Sequence, residues 1–117
     1  MGSNGVTDRG ETDGSEIGLP PPVVADLLAV ERRRILVRIL AERAEAVPVV
    51  DLAGQILARQ EGVPAADVAR EKRRRLCERL FQTDLPKLTA TEVVTYDSAM
   101  GTVELAVPEL GERVAGE

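Results

Sequence analysis

Residues 70–105 read REKRRRLCERLFQTDLPKLTATEVVTYDSAMGTVEL, and the period of their apolar residues changes part-way along. Apolar residues recur at intervals of three and four from about residue 70 to residue 88, which predicts one long helix. They are Leu76, Cys77, Leu80, Phe81, Leu85 and Leu88. Pro86 falls inside this helix, so we expect a kink or a loosened last turn there. Residues 93–96 and 102–105 then have the composition of β-strands, and the five residues between them end in Gly101, which is typical of a hairpin.

The chain upstream of this segment is mainly helical in its pattern. The predicted elements are helices near residues 23–29, 31–45 and 50–60, an extended piece at 47–49 and a short turn at 65–68. Pro48 interrupts the helical pattern because it cannot continue a helix, and Gly62 is typical of a helix end. The predicted order is therefore helix, short strand, helix, helix and hairpin. This is a mainly α fold with a small β-hairpin (α+β), in the order of a winged helix-turn-helix domain over residues 23–107.

The charge is distributed unevenly along the chain. Residues 1–22 carry four acids and one base, and residues 108–117 carry three acids and one base. The remaining residues hold thirteen acids and thirteen bases, so the whole formal charge of −5 resides in the two ends. Residues 1–22 are rich in Gly and Ser, and we expect them to form a disordered acidic tail that ends in a proline spacer. Residues 108–117 are expected to form a short acidic C-terminal tail.

The composition excludes most catalytic and metal-binding chemistry. The chain has no His and a single Cys, Cys77, which excludes His-based catalysis, Cys–His nucleophiles and Cys/His zinc sites. It also lacks a Gly-rich phosphate loop. We therefore expect no enzymatic activity, no cofactor and no metal. The lone cysteine and the lack of a signal pattern, or of a run of roughly 18 apolar residues, favour a cytoplasmic protein with no membrane partner.

The polar face of the predicted long helix carries the candidate site. Lys72, Arg75, Arg79 and Gln82 lie at i, i+3, i+7 and i+10, and Thr83 lies on the same face. Cationic side chains bind phosphates, and forked donors such as Arg and Gln bind base edges in the major groove. The pattern therefore indicates a DNA-binding surface, bordered by Glu71, Glu78 and Asp84. The alternative is a solvated helix face with ion pairs at i,i+4, such as Glu71–Arg75.

A second basic cluster consists of residues 32–34 and Arg38. The simplest interpretation is that these arginines pack their stems over the core and pair with Glu31, Glu42 or Glu45. Contact with backbone phosphates is the alternative. Cys77 lies on the apolar face, which indicates a small buried hydrophobic residue.

Four stretches together resemble a known family: ERRRILVRIL (residues 31–40), VVDLAGQILARQEGVP (49–64), LFQTDLPKL (80–88) and VVTYDSAMGTVEL (93–105). They are similar to a winged-helix domain family of haloarchaea, of unknown function and related in fold to ArsR-like and MarR-like regulators. The resemblance implies a winged helix-turn-helix and a role in transcription. Family members often carry His where this chain has Asp84, which places an acid near the presumed DNA side. They often carry Arg at the wing tip, where this chain has residues 98–100.

We therefore expect a regulator of transcription that binds double-stranded DNA. Residues 70–88 would form its recognition helix and residues 93–105 its wing. We expect a homodimer, because one recognition helix covers few base pairs. The helices near 23–29 and 31–45 offer more apolar surface than one small domain needs, so we expect the two copies to pair through them. The alternative is a winged-helix module that binds another protein and does not bind DNA.

Overall fold

The computed structural model describes residues 18–115, so residues 1–17 of the predicted acidic tail lie outside it. Its elements are α1 (Pro21–Leu27), α2 (Glu31–Arg43), β1 (Val47–Pro48), α3 (Val49–Glu61), a 3₁₀ turn (Ala65–Asp67), α4 (Arg70–Arg79), a π-turn (Leu80–Asp84), α5 (Leu85–Ala90), β2 (Val94–Asp97), β3 (Thr102–Leu105) and α6 (Pro108–Ala115). The described part of the chain is thus mainly helical with one small antiparallel sheet. The predicted α+β class is confirmed.

The sheet has three strands in the order β1–β3–β2, all antiparallel. The predicted hairpin pairs Val94 with Leu105 and Tyr96 with Val103. The extended piece around Pro48 is a third strand, because Val47 pairs with Val103 on the free edge of the hairpin. The sheet therefore connects the start of α3 to the hairpin.

The first helix begins two residues earlier than predicted. Pro21 and Pro22 form its first turn and do not serve as an extended spacer. Proline suits this position because the first helical N–H groups have no intrahelical partner and its φ angle is already helical.

The core lies between the helices and one face of the sheet. Its largest fully buried side chains include Leu27, Leu36, Ile39, Leu40, Leu52, Ile56, Leu80 and Leu88. The large apolar side chains of α1 and α2 are thus buried or partly buried within a single chain. The large apolar side chains that are exposed among the described residues are Val50, Phe81, Tyr96 and Met100, and none of them lies on α1 or α2, the helices that we expected to pair.

Arg33 and Arg34 tie α1 to α2. Arg33 donates hydrogen bonds to the backbone carbonyls of Leu27 (2.7 Å) and Asp26 (2.9 Å), and Arg34 donates to that of Leu28 (2.7 Å). Carbonyls at a helix C-terminus lack intrahelical partners and carry partial negative charge, so cations there are favourable. The cluster is therefore structural, as the simplest interpretation held.

The partners of the cluster differ from the glutamates that we expected. Arg38 donates to the Val114 carbonyl of α6 at 3.1 Å, and Glu42 pairs with Arg59 of α3. The Arg59 hydrogen bond, and then its charge, hold the pKa of Glu42 below its ordinary value, against the opposing effect of desolvation.

The C-terminal segment is part of the folded body, which extends beyond the predicted boundary at residue 107. Helix α6 packs against α2, and its Leu110 and Val114 are fully buried. The two helices approach closely, because a Cβ atom at Gly111 would lie only 2.5 Å from the Cβ of Ala41. Leu110 and Val114 are four residues apart and share a helix face, a pattern that the acidic composition of the segment hides.

Candidate nucleic-acid interface

The five residues of the candidate site are all exposed on one run of helix. Lys72, Arg75 and Arg79 lie on α4, and Gln82 and Thr83 lie on the π-turn that continues it. The buried side of α4 is provided by Leu76, which joins the hydrophobic core. The polar face predicted from the sequence is therefore a solvent-facing surface in the structure.

Four of the five residues converge. Arg75, Arg79, Gln82 and Thr83 line one shallow surface cavity of about 490 Å³, together with Glu78 and Leu76. Lys72 lies one turn earlier and does not line this cavity. The structure thus brings together two guanidinium groups, one amide and one hydroxyl, which can all donate hydrogen bonds to an anion or a base edge.

Most cations near the start of α4 already have acidic partners. Lys72 Nζ lies 3.0 Å from a Glu61 carboxylate oxygen, and Arg75 Nε lies 3.2 Å from one of Glu71. Arg74 pairs with both Glu71 (2.6 Å) and Glu78 (2.7 Å). The Glu71–Arg75 pair is the one named in the alternative interpretation, so that interpretation describes this end of the helix.

These ion pairs are solvated and therefore weak. The hydrogen bond from Arg74, and then its charge, lower the pKa of Glu71, so this carboxyl group is ionised at neutral pH. The paired side chains are at least 55% exposed, except for Glu61 at 31%, and exposed pairs contribute about 0–1 kcal/mol to stability. An incoming phosphate could replace such an acid at little energetic cost.

Arg79 differs from its neighbours. It is exposed, and the described part of the chain offers it no hydrogen bond or ion pair. It is followed within one turn by Gln82, which is also exposed. A free guanidinium beside a free amide is the combination that forked recognition of base edges requires.

The helix changes its hydrogen bonding where Pro86 enters it. The N–H of Leu85 donates to the carbonyl of Leu80, five residues back, so residues 80–84 form a π-turn. Proline lacks an N–H and its ring conflicts with the carbonyl four residues earlier, which the wider turn relieves. The predicted loosening at Pro86 is confirmed, and the helix then continues to Ala90, two residues beyond the predicted end.

The structure corrects the prediction made for Asp84. This residue is fully buried and does not place an acid on the presumed DNA side. Arg32 donates to its two carboxylate oxygens at 2.6 and 3.0 Å, and Arg33 Nη1 lies 3.5 Å from one of them. The charge of Asp84 is thus balanced inside the protein, and the group anchors the π-turn to α2.

Two half-exposed aromatic rings connect the π-turn to the hairpin. Phe81 and Tyr96 are 43% and 38% exposed and meet edge to face, with ring centroids 5.7 Å apart. We expected Phe81 in the apolar face of the helix. In the hairpin, Val94 and Val103 are buried against the helical body, whereas Tyr96 is not. The contact joins the hairpin to the π-turn, which also carries Gln82.

We expect the ring contact to stabilise the hairpin by a small, measurable amount. Edge-to-face pairs contribute about 0.5–1.5 kcal/mol beyond burial. A double-mutant cycle of Phe81→Leu and Tyr96→Leu, followed by urea unfolding, should give a coupling energy in that range. Additive effects of the two substitutions would contradict the role of the contact.

The tip of the hairpin is closed by local hydrogen bonds and lacks cations. The Asp97 carboxylate accepts hydrogen bonds from the backbone N–H groups of Ala99 (2.9 Å) and Met100 (3.2 Å). Gly101 adopts the left-handed conformation, with φ at +68°, which closes the turn. Met100 is 71% exposed. The tip therefore offers apolar surface and backbone groups to a partner.

Arg73 fixes α4 against α3 and was not identified from the sequence. It donates to the carbonyl of Ala65 at 3.1 Å, and a Cβ atom at Gly54 would lie 3.0 Å from its Nε atom. The guanidinium therefore fills the space that the missing side chain of Gly54 leaves. The neighbouring Cys77 is half-buried against the core, and burial raises the pKa of its thiol.

The comparison with known families assigns this arrangement to one of them. The family described as domain of unknown function (DUF7344) matches residues 25–104. The chain belongs to this family. The match runs from within α1 to within β3, so the DUF7344 domain includes α4, the π-turn and the hairpin, whereas α6 lies beyond it. Searches of curated proteins and of solved structures gave no match.

Two further properties of the DUF7344 domain bear on its chemistry. Within residues 18–115, no helix is long and apolar enough to cross a membrane. In the same part of the chain, no three His, Cys, Asp or Glu side chains come together in a group that could hold a metal ion.

Proposed function

We propose that this protein is a transcriptional regulator that binds double-stranded DNA through a winged helix-turn-helix. In this proposal α3 and α4 are the two helices of the motif, and the hairpin of β2 and β3 is the wing. The order of the elements and the strand order β1–β3–β2 support this assignment. The affiliation to haloarchaeal, ArsR-like or MarR-like proteins and a cytoplasmic location belong to the same proposal.

The observation that carries the proposal is that the last residues of the candidate site have no acidic partner. Arg79, Gln82 and Thr83 are exposed, have no acidic partner among the described residues and line one cavity with Arg75. Guanidinium and amide groups on one exposed helical face can enter a major groove and bind base edges. We therefore assign base contacts to Arg79 and Gln82.

In this proposal the cations that have acidic partners contact backbone phosphates. Lys72 and Arg75 lie toward the N-terminus of α4, where backbone phosphates are favourable. Their partners Glu61 and Glu71 would be displaced when a phosphate binds. Contacts of this kind add affinity for any duplex and make it depend on salt.

A homodimer extends the proposal to two half-sites. Two-fold dimers are the usual way in which small helix-turn-helix proteins lengthen their site. Because α1 and α2 use their apolar residues within one chain, the second copy would contact another surface. A titration at concentrations well above the dissociation constant gives the stoichiometry, and we expect two protein chains per duplex.

Fluorescence anisotropy with selected and random duplexes tests the proposal. Arg79→Ala and Gln82→Ala should each lose about 1–3 kcal/mol at the selected site and little on random duplexes, because they remove base contacts. Lys72→Ala and Arg75→Ala should weaken binding to both duplexes and flatten the salt dependence.

The matched control is Arg113→Ala, which removes an exposed cation from α6. Since α6 packs against α2, this change should leave duplex binding unaltered. A wild-type chain with no salt-dependent duplex binding, or an Arg113 variant as weak as the Arg79 variant, would contradict the proposal.

The second candidate function is a protein-binding module. It is favoured by the exposed apolar side chains of Phe81, Tyr96 and Met100, which lie where a wing and recognition helix would meet DNA. A protein partner would use this apolar surface and would not require the cations. Wild-type protein that fails to bind every duplex would favour this candidate over the first.

A further inference from the structure

A groove separate from the candidate DNA surface lies between α2, β3 and α6. Its volume is about 710 Å³. Its apolar lining consists of Leu40, Ala41, Ala44, Leu105, Pro108 and Gly111. The size falls within the range of roughly 300–1,000 Å³ that is common for small-molecule sites. Its walls are formed by α2, α6 and β3, since α6 and β3 both contact α2.

The charged side chains along this groove are mainly acidic. Glu45, Glu104 and Glu112 line it and are exposed. The described part of the chain provides no hydrogen bond or ion pair to these three side chains. Glu42 also lines the groove but pairs with Arg59. Arg38 is the single cation of this lining, and its hydrogen bond to the neutral Val114 carbonyl does not cancel its charge. The groove therefore combines an apolar lining with an excess of negative charge, because Arg38 offsets only part of the charge of Glu45, Glu104 and Glu112.

This combination selects the chemistry of the occupant. A bare metal ion is disfavoured, because no three acidic side chains within residues 18–115 are close enough to hold one. An anion would meet three free carboxylates, and a neutral apolar molecule would leave them uncompensated. A cation that carries its charge on a bulky apolar body satisfies the lining and the carboxylates together, because weakly hydrated charge is desolvated at low cost.

We propose that this groove is a binding site for lipophilic organic cations, such as quaternary ammonium or phosphonium compounds. The proposal is independent of DNA binding, since the groove shares no residue with the cavity at Arg75 and Arg79. Three of its lining residues, Pro108, Gly111 and Glu112, lie on α6, beyond the family match. The site therefore depends on the helix that completes the fold.

Two nearly isosteric ions of opposite charge provide the test. Tetraphenylphosphonium and tetraphenylborate have the same shape and nearly the same apolar area, so a difference between them reports charge selection alone. Isothermal titration of the full chain in sodium buffer should give saturable binding of tetraphenylphosphonium, at least about tenfold tighter than that of tetraphenylborate, and weaker at high salt. Equal binding of the two ions, or no saturable binding of the phosphonium, would overturn the proposal.

A pair of triple variants with the same net charge locates the site. The first variant, Glu45→Gln, Glu104→Gln and Glu112→Gln, should weaken phosphonium binding at least about tenfold. The second variant, Asp51→Asn, Asp67→Asn and Glu109→Gln, removes three exposed acids outside the groove and should bind as the wild type does. Equal losses in the two variants would overturn the assignment to the groove, because they would reflect the overall charge alone.

Discussion

Replacing Asp84 with alanine is expected to lower the free energy of unfolding by about 3–5 kcal/mol. The carboxyl group is fully buried and receives Arg32 through two hydrogen bonds and Arg33 through a longer contact. Its removal leaves the guanidinium of Arg32, whose side chain is only 17% exposed, without a counter-ion. Unpaired charge in such a position costs more than the intact ion pair contributes.

Urea unfolding of three variants separates this effect from the loss of any ion pair. Asp84→Asn keeps the size of the side chain and an acceptor oxygen, so we expect a smaller loss than for Asp84→Ala. Glu61→Ala breaks the exposed pair with Lys72 and should cost about 0–1 kcal/mol. Similar midpoints and slopes for the Asp84→Ala and Glu61→Ala proteins would show that the buried cluster is not an anchor.

The sequence predicted the elements around α4 well because their signals are local. A change from a period of three and four to strand-like residues separates the helix from the hairpin without knowledge of the rest of the chain. Pro86 also acts locally, and the π-turn follows from its missing N–H. The short strand near residues 47–49 was also predicted, but its pairing with β3 was not, because two residues, Val47 and Pro48, are too few to show alternation.

The position of Asp84 could have been predicted. It lies four residues after Leu80 and four before Leu88, both fully buried, so helical spacing alone places it on the apolar face. We treated it as a surface residue because it is charged. The clue to its burial was the run of arginines at residues 32–34, which supplies the counter-ions, but their contact spans about 50 positions in sequence and depends on tertiary structure.

The candidate site illustrates the same limit. Exposure of Lys72, Arg75, Arg79, Gln82 and Thr83 follows from helical spacing and was predicted correctly. The sequence predicts an ion pair only where both partners lie on the same helix, as Glu71 and Arg75 do one turn apart. The pairing of Lys72 with Glu61 depends on how α3 lies beside α4. The electrostatic difference between Arg79 and the other cations is therefore a property of the fold.

Replacing Leu110 with alanine is expected to cost about 2–5 kcal/mol of unfolding free energy. The side chain is fully buried where α6 meets α2, and Gly111 holds the two helices so close that they cannot shift far to fill a cavity. The loss therefore includes the apolar transfer energy and the cost of the unfilled space. Such a loss requires that residues 108–115 belong to the cooperative unit.

The matched control is the neighbouring residue, Glu109→Ala, which changes an exposed side chain on the same helix and should stay within about 0.5 kcal/mol of the wild type. If residues 108–115 formed an unpacked acidic tail, neither side chain would be buried and the two substitutions would have equal effects. The difference between the two midpoints in urea thus measures the contribution of α6 to the core. Since α6 also forms one wall of the acidic groove, a Leu110→Ala protein in which α6 has detached should bind tetraphenylphosphonium more weakly, whereas Glu109→Ala should not.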